Sequence, residues 1–400
     1  MSALNVHYSL APGSSIAVGQ LALYQERIYF EYTSDFLSTG LELSPFNLPL
    51  KAGAVSAEAV PWGGLFGLFN DSLPDGWGLL LMNRHLRSLG VETRYLTPLD
   101  RLAYMGNRTM GALTYEPARD DIADDSFELD VGAMASNAIN IYEGRVSDIL
   151  PQIAQAGGSP AGVCPKILVH LCDDRMISGE AESPEGFDPW IIKFFPADDH
   201  PDTGRIEYAY SLMAQDAGID MPETRLFYDN NGKAWFGIKR FDREGQRRIH
   251  MHTLGGLLNA DFRLPSLDYI DVLKATQTLT RNAADVERAF VVMAFNVLAH
   301  NRDDHSKNFS FLMDESGAWR LAPAYDLTCS NGINGEHTSA IAGEGKDPAE
   351  VHMLRVGESV GLKPVYMKGV IERVQTSISR WSTWCNRAGI TPVIKFPPLA

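Results

Sequence analysis

The order of the hydrophobic patterns most constrains the fold of this chain, because strand-like patterns give way to helical ones along its length. Strand-like runs occupy residues 166–171, 190–195 and 234–241, and a helical pattern from 206 to 217 lies between the second and the third. From Leu254 onward the spacing is mainly helical. A mixed lobe therefore precedes a helical lobe, which predicts the α+β class.

The first part of the chain predicts a separate small α+β unit. Loose alternation over 16–32 indicates paired strands, and the pattern changes to helical spacing over 77–89. The acidic stretch 120–125 lacks the spacing and the glycine of an EF-hand loop, so we interpret it as a solvated linker. The predicted regions are an N-terminal accessory subdomain (1–118), a mixed α/β lobe (119–241) and a helical lobe (242–400).

Charge and cysteine usage limit the environment and the partners of the chain. It carries 35 basic and 50 acidic residues, a net charge of −15, so by itself it should not coat DNA or an anionic membrane. Its four cysteines lack metal-ligand spacing, and no run approaches the roughly 18 apolar residues of a membrane helix. The first residues show no secretory signal pattern. These features favour a cytoplasmic protein that contacts DNA only through a partner.

Segment 301–308, Asn-Arg-Asp-Asp-His-Ser-Lys-Asn, is the strongest candidate for chemistry, and it follows the apolar pattern 289–299. In phosphoryl transfer an Asp accepts the proton of the substrate hydroxyl, a Lys neutralises charge on the phosphate, and an Asn binds Mg²⁺. Here these residues would be Asp303, Lys307 and Asn308. The alternative is a polar loop in which Asp and Asn cap neighbouring helices.

A second candidate is Asp326, which lies 23 residues after Asp303 in the sequence Pro-Ala-Tyr-Asp. A hairpin predicted over 309–321 separates the two aspartates. In kinases a later Asp in this arrangement binds Mg²⁺ across the phosphates. Taken alone, Asp326 would be a turn residue or a helix cap, but its distance from Asp303 favours metal binding.

Two lysines upstream are candidates for binding phosphate. Residues 157–166 form a loop of small residues that ends in Lys166, although it matches neither the Walker pattern nor GxGxxG. Lys193 lies within an apolar run, and Glu207 at the start of the next helix is its candidate partner. The alternatives are a glycine-rich turn and a lysine that points to solvent from an edge strand.

Residues 239–243, Lys-Arg-Phe-Asp-Arg, end the third strand pattern at the point where the two lobes would join. In a two-lobed kinase this linker offers backbone groups to adenine, and the residues around Phe241 would do so here. A salt bridge between Arg240 and Asp242 explains the charges equally well.

In combination these motifs resemble the HipA-like serine/threonine kinases, the toxin components of bacterial toxin–antitoxin pairs. The likeness extends over nearly the whole chain and includes Phe-Asn-Asp-Ser-Leu-Pro-Asp-Gly at 69–76. The further motifs that carry it are 18–21, 111–113, 159–166, 192–194, 240–243, 301–308 and 322–326.

The resemblance implies a two-lobed protein-kinase-like fold with an N-terminal accessory subdomain, and it implies roles for individual residues. The catalytic residues would be Asp303, His305 and Lys307, with Asp303 as the base. Asn308 and Asp326 would bind Mg²⁺. The residues implied to bind ATP are Ala161, Gly162, Val163, Cys164, Pro165, Lys166, Lys193, Lys239, Arg240, Phe241, His305, Asn308, Tyr325 and Asp326.

Three positions bear on regulation or depart from the family pattern. Ser159 matches a loop serine that relatives autophosphorylate, and a phosphate there would compete electrostatically with ATP. Relatives often carry Gly or another residue at the position of Asp304, and a polar residue at that of Cys164. A second carboxylate beside the base would bind a cation or raise the pKa of Asp303.

The leading hypothesis is an ATP- and Mg²⁺-dependent serine/threonine protein kinase that phosphorylates a translation component such as an aminoacyl-tRNA synthetase. A small helix-turn-helix antitoxin would be its partner and would supply any DNA contact. The alternatives are a small-molecule kinase and a non-catalytic kinase fold that acts as an antitoxin-bound co-repressor. Retention of Lys193, Asp303, Asn308 and Asp326 argues against the last, because a decayed site usually loses at least one of its residues.

Overall fold

The computed structural model of the protein describes residues 3–118, 128–146, 153, 162–173, 175–178, 183–196 and 198–398. The acidic stretch 120–125 lies outside these residues, so the linker stays a prediction. Among the helices in the described ranges, none is both long and apolar enough to cross a bilayer. In these ranges the strands form two five-stranded sheets and three smaller ones, and six of the twelve described α-helices lie in the C-terminal part.

An antiparallel five-stranded sheet forms the core of the N-terminal part. Its strands are β1 (Ala3–Ala11), β2 (Ser14–Tyr24), β3 (Arg27–Tyr32), β4 (Val55–Ser56) and β5 (Leu113–Glu116). Their order is β4-β3-β2-β1-β5. In β3 the side chains of Ile28, Phe30 and Tyr32 are buried and their neighbours are more exposed, which is the alternation that a half-buried strand requires. The paired strands predicted over 16–32 are confirmed.

Short helices cover this sheet and lead out of it. They are α1 (Ser34–Leu37), α2 (Gly67–Asn70), α3 (Gly76–Ser88), a 3₁₀ turn (Thr93–Tyr95) and α4 (Pro98–Met105). The helix predicted over 77–89 is confirmed as α3. Thr97 begins α4 with a capping box, because its hydroxyl accepts from the Asp100 N–H and the Asp100 carboxylate accepts from the Thr97 N–H.

A second antiparallel sheet lies in the middle of the chain. Its strands are β6 (Lys166–Cys172), β7 (Arg175–Ser178), β8 (Asp188–Lys193), β9 (Thr224–Tyr228) and β10 (Ala234–Lys239), in the order β7-β6-β8-β10-β9. Helices α5 (Val131–Tyr142) and α6 (Thr203–Asp216) accompany it. The three predicted strands are confirmed, but β8 ends at Lys193 and not at Phe195, and β10 ends at Lys239 and not at Phe241. The patterns missed β7 and β9, which are short edge strands without a clean alternation.

The C-terminal part is mainly helical, as predicted. Its helices are α7 (Leu254–Leu258), α8 (Tyr269–Thr280), α9 (Ala283–Leu298), α10 (Glu350–Glu358), α11 (Pro364–Ser379) and α12 (Trp381–Ala388), with a 3₁₀ turn at Ser306–Asn308. Tyr210 and Met213 of α6 belong to the same core as Phe290 and Phe295 of α9, so α6 packs into the helical part as well as against the sheet.

Three small sheets connect these helices. Their strands are β11 (Arg243–Glu244), β12 (Arg247–Arg248), β13 (His250–Thr253), β14 (Leu267–Asp268), β15 (Ser310–Met313), β16 (Trp319–Leu321) and β17 (Ser339–Ala340). Strands β15 and β16 form the predicted hairpin, and β13 pairs with β15 on its other side. The hairpin turns tightly because Gly317 has a φ of +83°, a conformation that glycine adopts without strain.

A buried cluster of charges ties the N-terminal part to the rest of the molecule. Asp242 is fully buried and accepts two hydrogen bonds from Arg240, at 2.9 and 2.8 Å, and one from Arg243 at 2.6 Å. It also accepts the backbone N–H of Gly111 at 2.8 Å. Burial alone would raise the pKa of Asp242, but the two guanidinium groups hold it well below its usual range.

We expect Asp242→Ala to lower the free energy of unfolding by about 3–5 kcal/mol, because it leaves two buried guanidinium groups without their carboxylate. Urea unfolding measures the change. Asp188→Ala is the matched control, since Asp188 makes a half-exposed pair with Lys239 and its loss should cost about 1 kcal/mol or less. Equal losses in the two variants would contradict the prediction.

A second buried polar cluster joins the N-terminal part to β13. The Asp71 carboxylate lies 2.6 Å from Nδ1 of His252, whose Nε2 lies 3.0 Å from the Ser44 hydroxyl. The bonding order is that of a serine hydrolase triad, but Ser44 is only 1% exposed, so no substrate can reach it. Asp71 also accepts the Thr253 N–H at 2.7 Å, which marks the cluster as a structural link.

Candidate active site

A deep cleft of about 790 Å³ lies between the middle sheet, the C-terminal helices and the N-terminal part. One of the residues predicted to bind ATP, Pro165, does not line the cleft. It is buried, and its carbonyl accepts the N–H of Phe194 at 2.8 Å. Contact between ATP and Pro165 is therefore not supported. Ala161 and Ser159 lie outside the described residues. The predicted residues that line the cleft are Gly162, Val163, Cys164, Lys166, Lys193, Glu207, Lys239, Arg240, Phe241, Asp303, His305, Lys307, Asn308, Tyr325 and Asp326.

Lys193 lies at the centre of this cleft and pairs with two carboxylates. Its Nζ is 2.5 Å from Oε1 of Glu207 on α6 and 2.5 Å from Oδ1 of Asp326. Burial alone would lower the pKa of Lys193, but the two carboxylates hold it well above its ordinary value. Strand β8 lies between β6 and β10, so the alternative of a solvent-facing lysine on an edge strand is wrong. The predicted pairing with Glu207 is observed.

Asp326 is held in a strained backbone conformation at the end of the segment that follows β16. Its φ is +57°, which residues other than glycine seldom adopt. The Asn301 side chain donates to the Asp326 carbonyl at 3.3 Å. Burial would raise the pKa of Asp326, but Lys193 and Lys166 hold it well below its usual range, so this carboxylate stays charged.

The turn after α9 presents Asp303 to the cleft. Asn301 anchors this turn, since its side chain donates to the Asn296 Oδ1 at 2.9 Å. The Asp303 side chain is exposed in the cleft, and the Asn308 side chain donates to the Asp303 carbonyl at 2.6 Å. The pKa of Asp303 is raised by desolvation and by the negative charge of Asp326. A carboxylate with a raised pKa suits a general base.

Asp304 points the opposite way, into the protein. Its carboxylate is fully buried and accepts from Tyr269 at 2.9 Å, from the His337 ring nitrogen at 2.8 Å and from the backbone of Thr338 at 2.9 Å. The hypothesis that Asp304 binds a cation is therefore wrong, because donors of the protein occupy its oxygens. Its charge does contribute to the raised pKa of Asp303. These contacts also hold residues 337–339 against the turn that carries Asp303.

Lys307 and His305 lie beside each other, around the ring of Phe262. The Lys307 Nζ is 4.6 Å from the centre of that ring and the His305 ring 5.6 Å. Lys307 is buried and its Nζ pairs with Oδ2 of Asp75 at 2.7 Å. The sequence alone assigns no role to Asp75. This residue belongs to the Leu-Pro-Asp-Gly motif that the family resemblance includes, but the motif does not indicate that Asp75 forms an ion pair with Lys307.

The glycine-rich loop enters β6 with its charged end inside the cleft. Gly162 has a φ of +113°, a conformation that glycine adopts without the strain of other residues. Lys166 is opposite Lys193 in the β6–β8 ladder. Burial and the charge of Lys193 lower the pKa of Lys166. Lys166 therefore adds a second positive charge to the cleft, beside the Lys193 ammonium that two carboxylates already pair.

The segment at the end of β10 uses its charges for structure. Arg240 binds Asp242, so the salt bridge given above as the alternative for this segment is present. The Lys239 Nζ pairs with Asp188 at 2.7 Å. The ring of Phe241 lies 5.4 Å from that of Tyr325, and both rings line the cleft. Any contact of Arg240 with a nucleotide must therefore come from its backbone or from the outer face of its side chain.

Comparison with known protein families identifies the family of this chain. Residues 158–381 match the HipA-like C-terminal domain and residues 13–116 match the HipA N-terminal domain. The chain belongs to the HipA family. The predicted resemblance is confirmed, and the two matches include both the cleft and the N-terminal sheet.

A solved structure and two curated proteins are similar to this HipA-family chain. The HipA toxin of Shewanella oneidensis, solved with HipB and operator DNA, superposes with a TM-score of 0.71 over 99% of this chain and 92% of its own, at 18% identity. That likeness confirms the predicted kinase-like mixed fold. A Haemophilus influenzae protein named "Putative kinase" is 27% identical over 43% of this chain, and the Sinorhizobium fredii "Putative kinase Y4mE" is 26% identical over 62%. The chain spans 53% and 56% of their lengths.

Proposed function

We propose that this HipA-family protein is an ATP-dependent kinase that phosphorylates serine or threonine in a protein substrate. The observation that carries the proposal is the convergence of Asp303, Asn308, Asp326 and the Lys193–Glu207 pair on one cleft. These residues come from separate parts of the chain, and each has the chemistry that phosphoryl transfer needs at that place.

The reaction would proceed by in-line transfer of the γ-phosphoryl group. Asp303 accepts the proton of the substrate hydroxyl while the hydroxyl oxygen forms a bond to phosphorus and the bond to the ADP oxygen breaks. Lys193 and Lys166 are placed to neutralise phosphate oxygens, and Lys307 lies next to the base on the same segment. Apolar side chains that also line the cleft, Ile191, Ile238, Phe241 and Tyr325, would pack against the adenine ring.

The donor set of the cleft fits Mg²⁺. Asp326 gives a permanently charged carboxylate with one oxygen on Lys193, and Asn308 donates through its amide nitrogen, which leaves its amide oxygen for a cation. Mg²⁺ usually takes one or two protein oxygens together with phosphates and waters. The described residues contain no cluster of three or more His, Cys, Asp or Glu side chains suited to a metal, so the nucleotide would complete the coordination. When bound, Mg²⁺ would neutralise phosphate charge.

Exposed apolar side chains beside the cleft favour a protein over a metabolite as substrate. Ile333, which lines the cleft, is 74% exposed, and Leu264, adjacent to the lining residues Arg263 and Pro265, is 59% exposed. Isolated apolar residues on a surface are common, but two at the entrance to one site suit a docked polypeptide. A small-molecule substrate stays the second candidate, because the cleft is closed enough to hold one.

We also propose that the protein acts as the toxin of a toxin–antitoxin pair in the cytoplasm. The Shewanella relative is described in complex with HipB and operator DNA, and a net charge of −15 fits DNA contact through such a helix-turn-helix partner. A translation component such as an aminoacyl-tRNA synthetase would be the substrate, and Ser159 the site of autophosphorylation. Co-purification with the product of the neighbouring gene tests the partner.

Radiolabelled ATP tests the central claim. The wild-type chain, incubated with cell lysate and Mg²⁺, should label a discrete protein on serine or threonine, and Asp303→Asn should not. Ser159→Ala should lose only the label on the chain itself. Label found in a metabolite, with none in protein, would support the small-molecule alternative.

The acid limb of the pH–rate profile should lie above the ordinary aspartate pKa of about 4, because desolvation and Asp326 raise the pKa of Asp303. Asp303 must be deprotonated to act as base, so kcat/KM should fall as the pH falls through that raised value. A pH series of kcat/KM measures it. The residual rate of Asp303→Asn should lack this limb; a profile unchanged by the substitution would assign it to another group.

A further inference from the structure

Segment 75–77 of the N-terminal part holds the end of the glycine-rich loop from two sides. The Gly162 N–H donates to Oδ1 of Asp75 at 2.6 Å, and the Trp77 N–H donates to the Gly162 carbonyl at 3.0 Å. The Trp77 indole donates to the Lys166 carbonyl at 2.8 Å. Backbone and side-chain bonds thus attach both Gly162 and Lys166 to a segment more than eighty residues upstream.

Asp75 reaches the catalytic segment at the same time. Its second oxygen, Oδ2, accepts from the Lys307 Nζ at 2.7 Å, and the pair is buried. Burial would raise the pKa of Asp75, but Lys307 and the Gly162 N–H hold it below its usual range, so the carboxylate is charged. One side chain therefore bridges the loop that precedes β6 and the segment that carries Asp303.

Local structure alone does not account for this placement. Asp75 is the N-cap residue of α3, where an aspartate normally accepts backbone N–H groups of its own helix, but its side chain makes no such bond. Gly76, with a φ of +42°, leaves no room for a side chain, because a Cβ there would lie 2.4 Å from the Gly162 carbonyl oxygen. The Asp75 side chain binds Gly162, and the absence of a side chain at Gly76 lets the two backbones approach each other closely.

We propose that Asp75 is a positioning residue for the nucleotide site, which fixes Gly162 for phosphate binding and the Lys307 ammonium beside the base. The N-terminal part thereby forms a wall of the site. This inference rests on the proposed kinase function, since it assumes that phosphates bind between Gly162 and Lys307. A positioning role also predicts separate effects for the two oxygens of Asp75, because each holds a different element.

Hydrogen exchange of the nucleotide-free, full-length chain tests the loop contact without any activity. In the wild type and in Asp75→Asn, whose amide oxygen still accepts, the Gly162 amide should exchange slowly. In Asp75→Ala and in Gly76→Ala it should exchange at least about tenfold faster. Asp130→Ala is the matched control, because Asp130 caps α5 through the Ala133 N–H and its loss leaves the loop alone. Wild-type exchange at Gly162 in Asp75→Ala would overturn the proposal.

Kinetics test the contact with Lys307. Asp75→Asn should lower kcat about tenfold and change the KM for ATP by less than about threefold, since it releases Lys307 but keeps the loop bond. Asp75→Ala should also raise the KM for ATP. A wild-type kcat in Asp75→Asn would overturn the role assigned to the ion pair. A wild-type chain that transfers no phosphate would overturn the proposed function alone, because the exchange experiment needs no nucleotide.

Discussion

Asp303→Asn should lower the rate of phosphoryl transfer about 10²–10⁴-fold, because an amide cannot take the proton of the substrate hydroxyl. Nucleotide affinity should change by less than about threefold, since the side chain is exposed in the cleft and, among the described residues, Lys193 and Lys307 pair with other carboxylates. Initial rates with labelled ATP and titration with a fluorescent ATP analogue measure the two quantities separately.

Asp347→Asn is the charge-matched control for this variant, because Asp347 is exposed and outside the cleft. It should transfer phosphate at the wild-type rate. If Asp303→Asn also kept the wild-type rate, Asp303 would not be the base. If it lost nucleotide binding together with transfer, the side chain would act on ATP and not on the hydroxyl.

Lys193→Met should have the second large effect, on both stability and nucleotide binding. It removes the ammonium that Glu207 and Asp326 share and leaves Lys166 as their neighbouring cation. Breaking the buried Lys193–Glu207 pair costs about 3–5 kcal/mol of unfolding free energy. Loss of a preorganised cation at the phosphates should lower kcat/KM for ATP by at least about 100-fold. Urea unfolding and steady-state kinetics measure the two effects.

A second substitution separates the two effects of Lys193→Met. Adding Glu207→Gln removes one of the stranded carboxylates, so the double variant should regain part of the lost stability but none of the activity. Lys368→Met on the exposed side of α11 is the control and should change stability by about 0.5 kcal/mol or less. A double variant less stable than Lys193→Met alone would show that Glu207 is stabilised by other neighbours.

The candidate site could be found from the sequence wherever a residue is unfavourable in its local setting. Lys193 interrupts an apolar strand and Asp303 lies in a dense polar segment after an apolar helix, and both lie in the cleft. The pairing of Lys193 with Glu207 could be anticipated because a buried ammonium needs a carboxylate and the next helix begins with one.

Residues whose role depends on distant partners could not be assigned in this way. Asp304 has the same type of side chain as Asp303 and is its neighbour, but the backbone turns it inward, where Tyr269 and the segment at His337 occupy its carboxylate. Asp75 likewise looks like an ordinary turn residue, and only the fold brings it to Lys307.

The sequence by itself determined the α+β class, the change from mixed to mainly helical patterns along the chain, the family, and the residues that we propose to be chemically active. These follow from local periodicity and from side chains whose burial or clustering is costly without a purpose. Tertiary structure alone decided how the N-terminal part contributes, through Asp75 at Gly162 and Lys307 and through the buried cluster around Asp242. The physical reason is that an ion pair between distant segments leaves no periodic trace in the sequence, since its strength depends only on where the fold places two charges.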